Sequence, residues 1–253
     1  MGIKVSLNSC YFNAPFVVVM VLLVAVPVVI VHVNATCSFA KEPPARHETP
    51  TICTYHTSVW DVHRNRVIPA QGVTKPYSEL TAEERDPAEP RCTLCEQDQV
   101  EVDLATVGIN GLQPVKICWV YAERLLAAFN QIQSSGEFEF LSVRGYRPGR
   151  TRGPVVDGKR TRFSNHSFGT AVDINAEHNG LYVRCDVQVS TRSPIDGCKL
   201  KHGGTWDPVG RLSTTIVPDG VVVRAISEHL GWQWGGTLPG TMKDFMHFSI
   251  TGH

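Results

Sequence analysis

Apolar and polar residues follow different rhythms in different parts of this chain. From Val115 to about Ser134, the residues Ile117, Val120, Tyr121, Leu125, Ala128, Phe129 and Ile132 recur at three and four, which predicts an amphipathic helix closed by Gly136. Phe138 to Val143 alternates as a strand does and runs into Arg144-Gly145-Tyr146-Arg147-Pro148, where Gly and Pro mark an exit loop. Phe168, Val172 and Ile174 give a second strand its buried face. Pro218 opens a second helix, with Val222, Ala225, Ile226 and Leu230 on one side and Gly231 at its end. Trp232 and Trp234 then sit two apart, and Phe245, His247 and Ser249 alternate with Met246, Phe248 and Ile250. Helix, strand, loop, strand, insertion, helix and strands in that order predict an α+β fold: a small central antiparallel sheet with flanking helices.

Other stretches carry no such rhythm. Residues 41–114 form a lead-in, and up to residue 98 it is broken by Pro43, Pro44, Pro50, Pro69, Pro76, Pro87 and Pro90. Within it, Thr81-Ala82-Glu83-Glu84 is a capping box for one short helix. The basic stretch from Pro148 to Phe163, with Arg150, Arg152, Lys159, Arg160 and Arg162, reads as a loop bordering a cleft and attracting acidic peptides, or as a solvated run. An insertion from residue 176 to about Val217 follows Asn175 and reads as one wall of that cleft.

The first 40 residues stand apart. Pro15 to Val33 is apolar except for His32, long enough for the ~20 residues a membrane-crossing helix needs. It reads as a signal peptide or as a retained anchor, and Cys37 is a poor match to a lipid-attachment site. Each alternative exports residues 41–253 to the periplasm, the cell exterior or the outer side of a membrane. The cysteines agree with an oxidising compartment: Cys53, Cys92, Cys95, Cys118, Cys185 and Cys198 read as disulfide partners, Cys185–Cys198 being the local pair. Cys92-Thr93-Leu94-Cys95 has no second such pair to complete a zinc knuckle, and reads as a turn whose cysteines bridge elsewhere. In 253 residues, 24 basic and 24 acidic side chains cancel, which removes the charge field a nucleic-acid partner would require. The 42% hydrophobic content suits one domain with a real core.

Chemistry concentrates in two places. Ser164-Asn165-His166-Ser167-Phe168-Gly169-Thr170-Ala171-Val172-Asp173 reads S-x-H-x-x-G-x-A-x-D, and Asp244-Phe245-Met246-His247 lies near the C-terminus. A catalytic zinc takes three N or O ligands and keeps one open position. His166, Asp173 and His247 supply such a set. The seven-residue spacing of His166 and Asp173 excludes one helical face and fits a loop leading into a strand. Asp244, three residues before His247, is placed to move a proton without being a ligand. The lone residues His56, His63, His178 and His202 read as polar surface.

These motifs resemble the zinc D-alanyl-D-alanine carboxypeptidases and the related L-alanyl-D-glutamate endopeptidases of cell walls. The resemblance covers about residues 115–250 in order: Gly145-Tyr146-Arg147, the His166–Asp173 motif, Gly231-Trp232-Gln233-Trp234-Gly235-Gly236, and Asp244 with His247. It implies Zn2+ on His166, Asp173 and His247, Asp244 as base, and Arg147 facing substrate. It also implies a hedgehog/D,D-peptidase-like fold and peptidoglycan stem peptides as substrate, cut at a terminal or an internal bond. Ser164 and Trp234, the latter beside the glycine pair, are further candidates for substrate contact. The alternative is a metal-containing binding or signalling module of the same fold.

Overall fold

The computed structural model describes residues 50–185 and 197–252. The apolar run from Pro15 to Val33 and the remainder of the first 49 residues lie outside them. The strands and helices, in chain order, are β1 (Ile52–Asp61), β2 (Arg66–Pro76), β3 (Gln99–Val102), β4 (Val115–Cys118), α1 (Ala122–Ser135), β5 (Val143–Arg144), β6 (Arg150–Val156) and β7 (Lys159–Phe163). Then follow β8 (Ala171–Ile174), β9 (Leu181–Val183), β10 (Lys199–His202), α2 (Val221–Leu230), β11 (Gln233–Trp234), β12 (Lys243–Asp244) and β13 (His247–Ser249). The fold is α+β, as the order of patterns predicts. Among the described residues, no helix is long and apolar enough to cross a membrane.

The sheet that matters for chemistry has the order β11-β13-β8-β5 and is antiparallel throughout. Its register sets His247 directly opposite Asp173, and Phe248 opposite Val172. Alternation then sends Val172, Ile174 and Phe248 into the apolar core, where they join Leu125, Phe129 and Ile132 of α1 and Val222, Ala225 and Ile226 of α2. The opposite face keeps Asp173 and His247. Both helices end where the sequence places their glycines: Gly136 and Gly231 adopt left-handed φ of 67° and 70°.

Several elements differ from the sequence expectation, each for a physical reason. The first helix starts at Ala122, because Val115 to Cys118 pairs with β3 as a strand. The strand expected over Phe138–Val143 shrinks to Val143–Arg144. The Asn175 side chain takes the amides of Leu141 and Ser142 (2.7 and 3.2 Å), so those groups need no ladder. The second helix begins at Val221, after Gly220 rather than at Pro218.

The basic stretch expected as a loop is a hairpin, β6–β7, turned by Asp157-Gly158 with φ of 47° and 75°. That pair is the residue choice a tight hairpin turn demands. The proline-broken lead-in also holds a hairpin, β1–β2, in a sheet of order β2-β1-β6-β7. Its prolines Pro69 and Pro76 lie on β2, the edge strand, where a missing N–H costs least. Thr81 and Glu84 make the capping box, on a 3-10 turn rather than an α-helix.

Disulfides tie the lead-in down. Cys53 bonds Cys95, and Cys92 bonds Cys118, so the C-x-x-C cysteines bridge elsewhere as expected; Cys185 bonds Cys198. Three bridges fit an exported protein. Around them the lead-in buttresses the site-bearing loops. Tyr146 Oη donates to the Leu94 carbonyl (2.6 Å), and Thr170 Oγ1 to Asp86 Oδ2 (2.5 Å).

Candidate metal centre

His166 comes from a 3-10 turn, Asn165–Phe168, that ends in Gly169. Gly169 has φ of 67°, and a Cβ there would lie 2.0 Å from Gln99 Oε1 and 2.3 Å from the Cys118 nitrogen. No other residue fits both the backbone and the space. The chain then enters β8, whose third residue is Asp173.

The sheet register and this turn bring three ligand atoms into one triangle. His166 Nε2 lies 3.1 Å from Asp173 Oδ1 and 3.1 Å from His247 Nδ1, and His247 Nδ1 lies 3.0 Å from Asp173 Oδ1. All three side chains are buried. Protons cannot satisfy three such mutual contacts at once, because each proton bridges only one pair. A cation at the centre satisfies all three. Ligands held at 2.0–2.1 Å around a tetrahedral ion sit roughly 3.3 Å apart, so the triangle fits a small divalent metal within a few tenths of an ångström.

The charges favour binding. Burial pushes His166 down to about 4, with Asp173 opposing and Arg147 adding to the shift, so the imidazole is neutral. Its Nδ1 lies 2.9 Å from both the Gly145 carbonyl and Arg147 Nη1, and the tautomer that donates to the carbonyl turns Nε2 and its lone pair to the triangle. Burial opposes a charge on Asp173, but His166 and the Arg147 guanidinium outweigh it and hold the carboxyl well below the usual range. Arg147 donates to Asp173 Oδ2 and to the Gly145 carbonyl. Its side chain stays half exposed, with donors left for a ligand.

Asp244 stands beside the triangle but outside it. Strand β12 pairs with β9, Asp244 opposite Leu181, and its N–H donates to the Gly235 carbonyl at 3.1 Å. Gly235 N in turn donates to the His247 carbonyl at 2.9 Å. A side chain at Gly235 would meet the Asp244 carbonyl at 2.5 Å, so the glycine pair permits this close approach. Asp244 Oδ1 and His247 Nε2 are both buried without a hydrogen-bond partner. Burial pushes the Asp244 carboxyl up to about 6; His247 works against this and Asp173 with it.

The remaining sequence candidates make other contacts. Ser164 is buried and caps the 3-10 turn, its carbonyl accepting from Ser167 N at 2.8 Å. Trp234 is 2% exposed, and its indole N–H donates to the Phe245 carbonyl at 2.8 Å. Phe245, next to Asp244, also stacks on Trp206 of the insertion at 4.4 Å. His178 bonds Thr214, His56 reaches Glu96, and Arg144 pairs with Glu177 on the surface.

Sequence reasoning missed Asn175. It sits at φ 47° directly after β8 and also donates to the Glu139 and Thr214 carbonyls (2.7 and 3.1 Å). The signal for it was an asparagine following a strand, a residue that tolerates the left-handed region. Ser167 was missed as well; its hydroxyl holds Gly149 from both sides at 3.0 and 3.1 Å.

Comparison with curated proteins and with solved structures gives no match. Residues 157–250, the stretch that contains His166, Asp173, Asp244 and His247, match the family model of D-alanyl-D-alanine carboxypeptidase, and this part of the chain is similar to peptidases of that family.

Proposed function

We propose that the chain is a zinc peptidase that hydrolyses stem peptides of peptidoglycan. The observation that carries this reading is the pairing of a buried His166–Asp173–His247 triangle with an unpartnered Asp244 carboxylate oxygen beside it. The donor set and its spacing fit zinc, which supplies Lewis acidity toward a carbonyl oxygen and a water molecule.

The protein groups do the rest. Asp244 takes the proton of the attacking water and returns it to the leaving amine, as a carboxylate without competing hydrogen bonds can. Arg147, anchored on Asp173 and the Gly145 carbonyl, offers its free N–H groups to the oxygen that becomes negative. The aromatic group of Trp206, Phe245 and Trp234 excludes water from beneath Asp244. Export places the enzyme on the side of the membrane where its substrate lies.

The test is hydrolysis of purified stem peptides by the zinc-loaded chain, with products identified by mass. Loss of a terminal D-Ala marks a carboxypeptidase, and internal fragments mark an endopeptidase. Intact peptides after prolonged incubation with zinc-loaded protein would reject the reading.

A further inference from the structure

Strand β6 begins seven residues before the matched stretch and β7 lies within it, so Arg152, five residues before it, is not covered by the family match. The β6–β7 hairpin carries Arg150, Arg152, Lys159, Arg160 and Arg162 against the carboxylate of Asp157. Most of these cations are used or solvated. Arg150 lies over the Phe163 ring at 4.1 Å and donates to the Thr161 carbonyl. Arg160 donates to the Gly153 carbonyl at 2.6 Å. Lys159 and Arg162 are exposed.

Arg152 is different. It is half buried, yet among the described residues no hydrogen bond or ion pair holds its guanidinium. The root of the hairpin is fixed against the metal loop: Gly149 is clasped by the Ser167 hydroxyl, and Arg150 pairs with Val59 of β1. Irregularities in the β6–β7 register fall on both sides of Arg152, and such breaks re-aim a side chain. Burial pushes the Arg152 pKa below the usual arginine range, and Asp244 and Asp173 lie near enough to oppose that shift. A half-buried cation short of direct partners carries a desolvation cost that a bound anion would offset.

We infer that Arg152 is a specificity-determining residue, which reaches from the β6–β7 hairpin to bind a carboxylate of the peptide substrate beside the metal centre. The inference rests on the peptidase reading and narrows it. The favoured substrate carries a free carboxylate close to the scissile bond, either the C-terminal carboxylate or the α-carboxylate of a γ-linked D-Glu. A forked guanidinium–carboxylate contact orients the peptide as well as attracting it.

The test uses L-Ala-γ-D-Glu-L-Lys-D-Ala-D-Ala and two neutralised forms, one amidated at the C-terminus and one at the D-Glu α-carboxylate. Binding is measured by calorimetry to zinc-loaded Asp244→Asn protein, so that turnover does not intrude. One amidation should weaken binding roughly 10–100-fold, and which one identifies the carboxylate. Adding Arg152→Gln should abolish that difference by weakening the parent peptide alone, and Arg152→Lys should restore part of it. Arg162→Gln, which removes an equal charge from the facing strand, should leave the difference intact. Equal weakening of all three peptides by Arg152→Gln, an unchanged difference, or no discrimination before the substitution would overturn the inference. So would an equal effect of Arg162→Gln, which points to the field of the whole hairpin. Hydrolysis of the parent peptide by the wild-type chain is read separately, so a failure of the peptidase reading is distinguished from a failure at Arg152.

Discussion

Asp173, buried on β8, and Asp244, half-buried on β12 of another sheet, are two aspartates whose surroundings drive them apart. One is held ionised by an imidazole and a guanidinium; the other is pushed up by burial and left without a hydrogen bond. Two carboxyl groups separated in this way take different roles. Asp173→Asn should therefore lose metal affinity, and so should His166→Ala. Asp244→Asn should keep the metal while turnover falls by roughly 10²–10⁴. Metal content by elemental analysis, paired with turnover, checks both. A metal-free Asp244→Asn beside a metal-loaded Asp173→Asn would exchange the two assignments.

At the scale of elements, the site depends on register and on what lies behind it. Phe248 is fully buried opposite Val172, on the reverse face of the strands that carry His247 and Asp173. Phe248→Ala should cost about 3–5 kcal/mol of stability in denaturant titrations. The Cys92–Cys118 bridge, spanning 26 residues, fixes the end of β4 against the loop that carries the C-x-x-C pair. Replacing both cysteines by alanine should cost about 3 kcal/mol by loss of the constraint on the unfolded chain. It should also weaken metal binding, because the Cys118 amide donates to the Gly169 carbonyl at 3.0 Å, at the end of the turn that presents His166. Unchanged metal affinity in that double variant would show the buttress to be dispensable.

For the whole molecule, the lead-in couples stability to pH. Burial opposes the charge of Glu84, but hydrogen bonds from Lys75, Tyr55 and Thr81 prevail and lower its carboxyl from 4.5 to about 2. A carboxyl depressed in the folded state stabilises it above the unfolded value and loses that contribution as pH falls. The melting temperature should therefore drop between about pH 4.5 and pH 2. Glu84→Gln should flatten that drop and cost about 1–2 kcal/mol at neutral pH. An unaltered acid limb in the variant would assign the drop to other carboxylates. Under non-reducing denaturation, Cys53, Cys92, Cys95, Cys118, Cys185 and Cys198 should all resist alkylation, given the three bridges they form.

Local sequence specifies the candidate ligand types and much of the local structure. The S-x-H-x-x-G-x-A-x-D motif carries its own turn and strand, because Gly169 and the apolar alternation after it are local instructions. The spacing of apolar residues located both helices, and glycines located their ends, since capping depends on a few adjacent residues. That His247 stands opposite Asp173 follows from the folded packing, because strand register is a long-range choice made by Phe248, Val172 and Ile174. The same packing buries Trp234 and makes a hairpin of a stretch without apolar rhythm. The two aspartates stood out in the sequence by their spacing, but their opposite charge preferences arise from burial and neighbours that are remote in sequence, which no local pattern encodes.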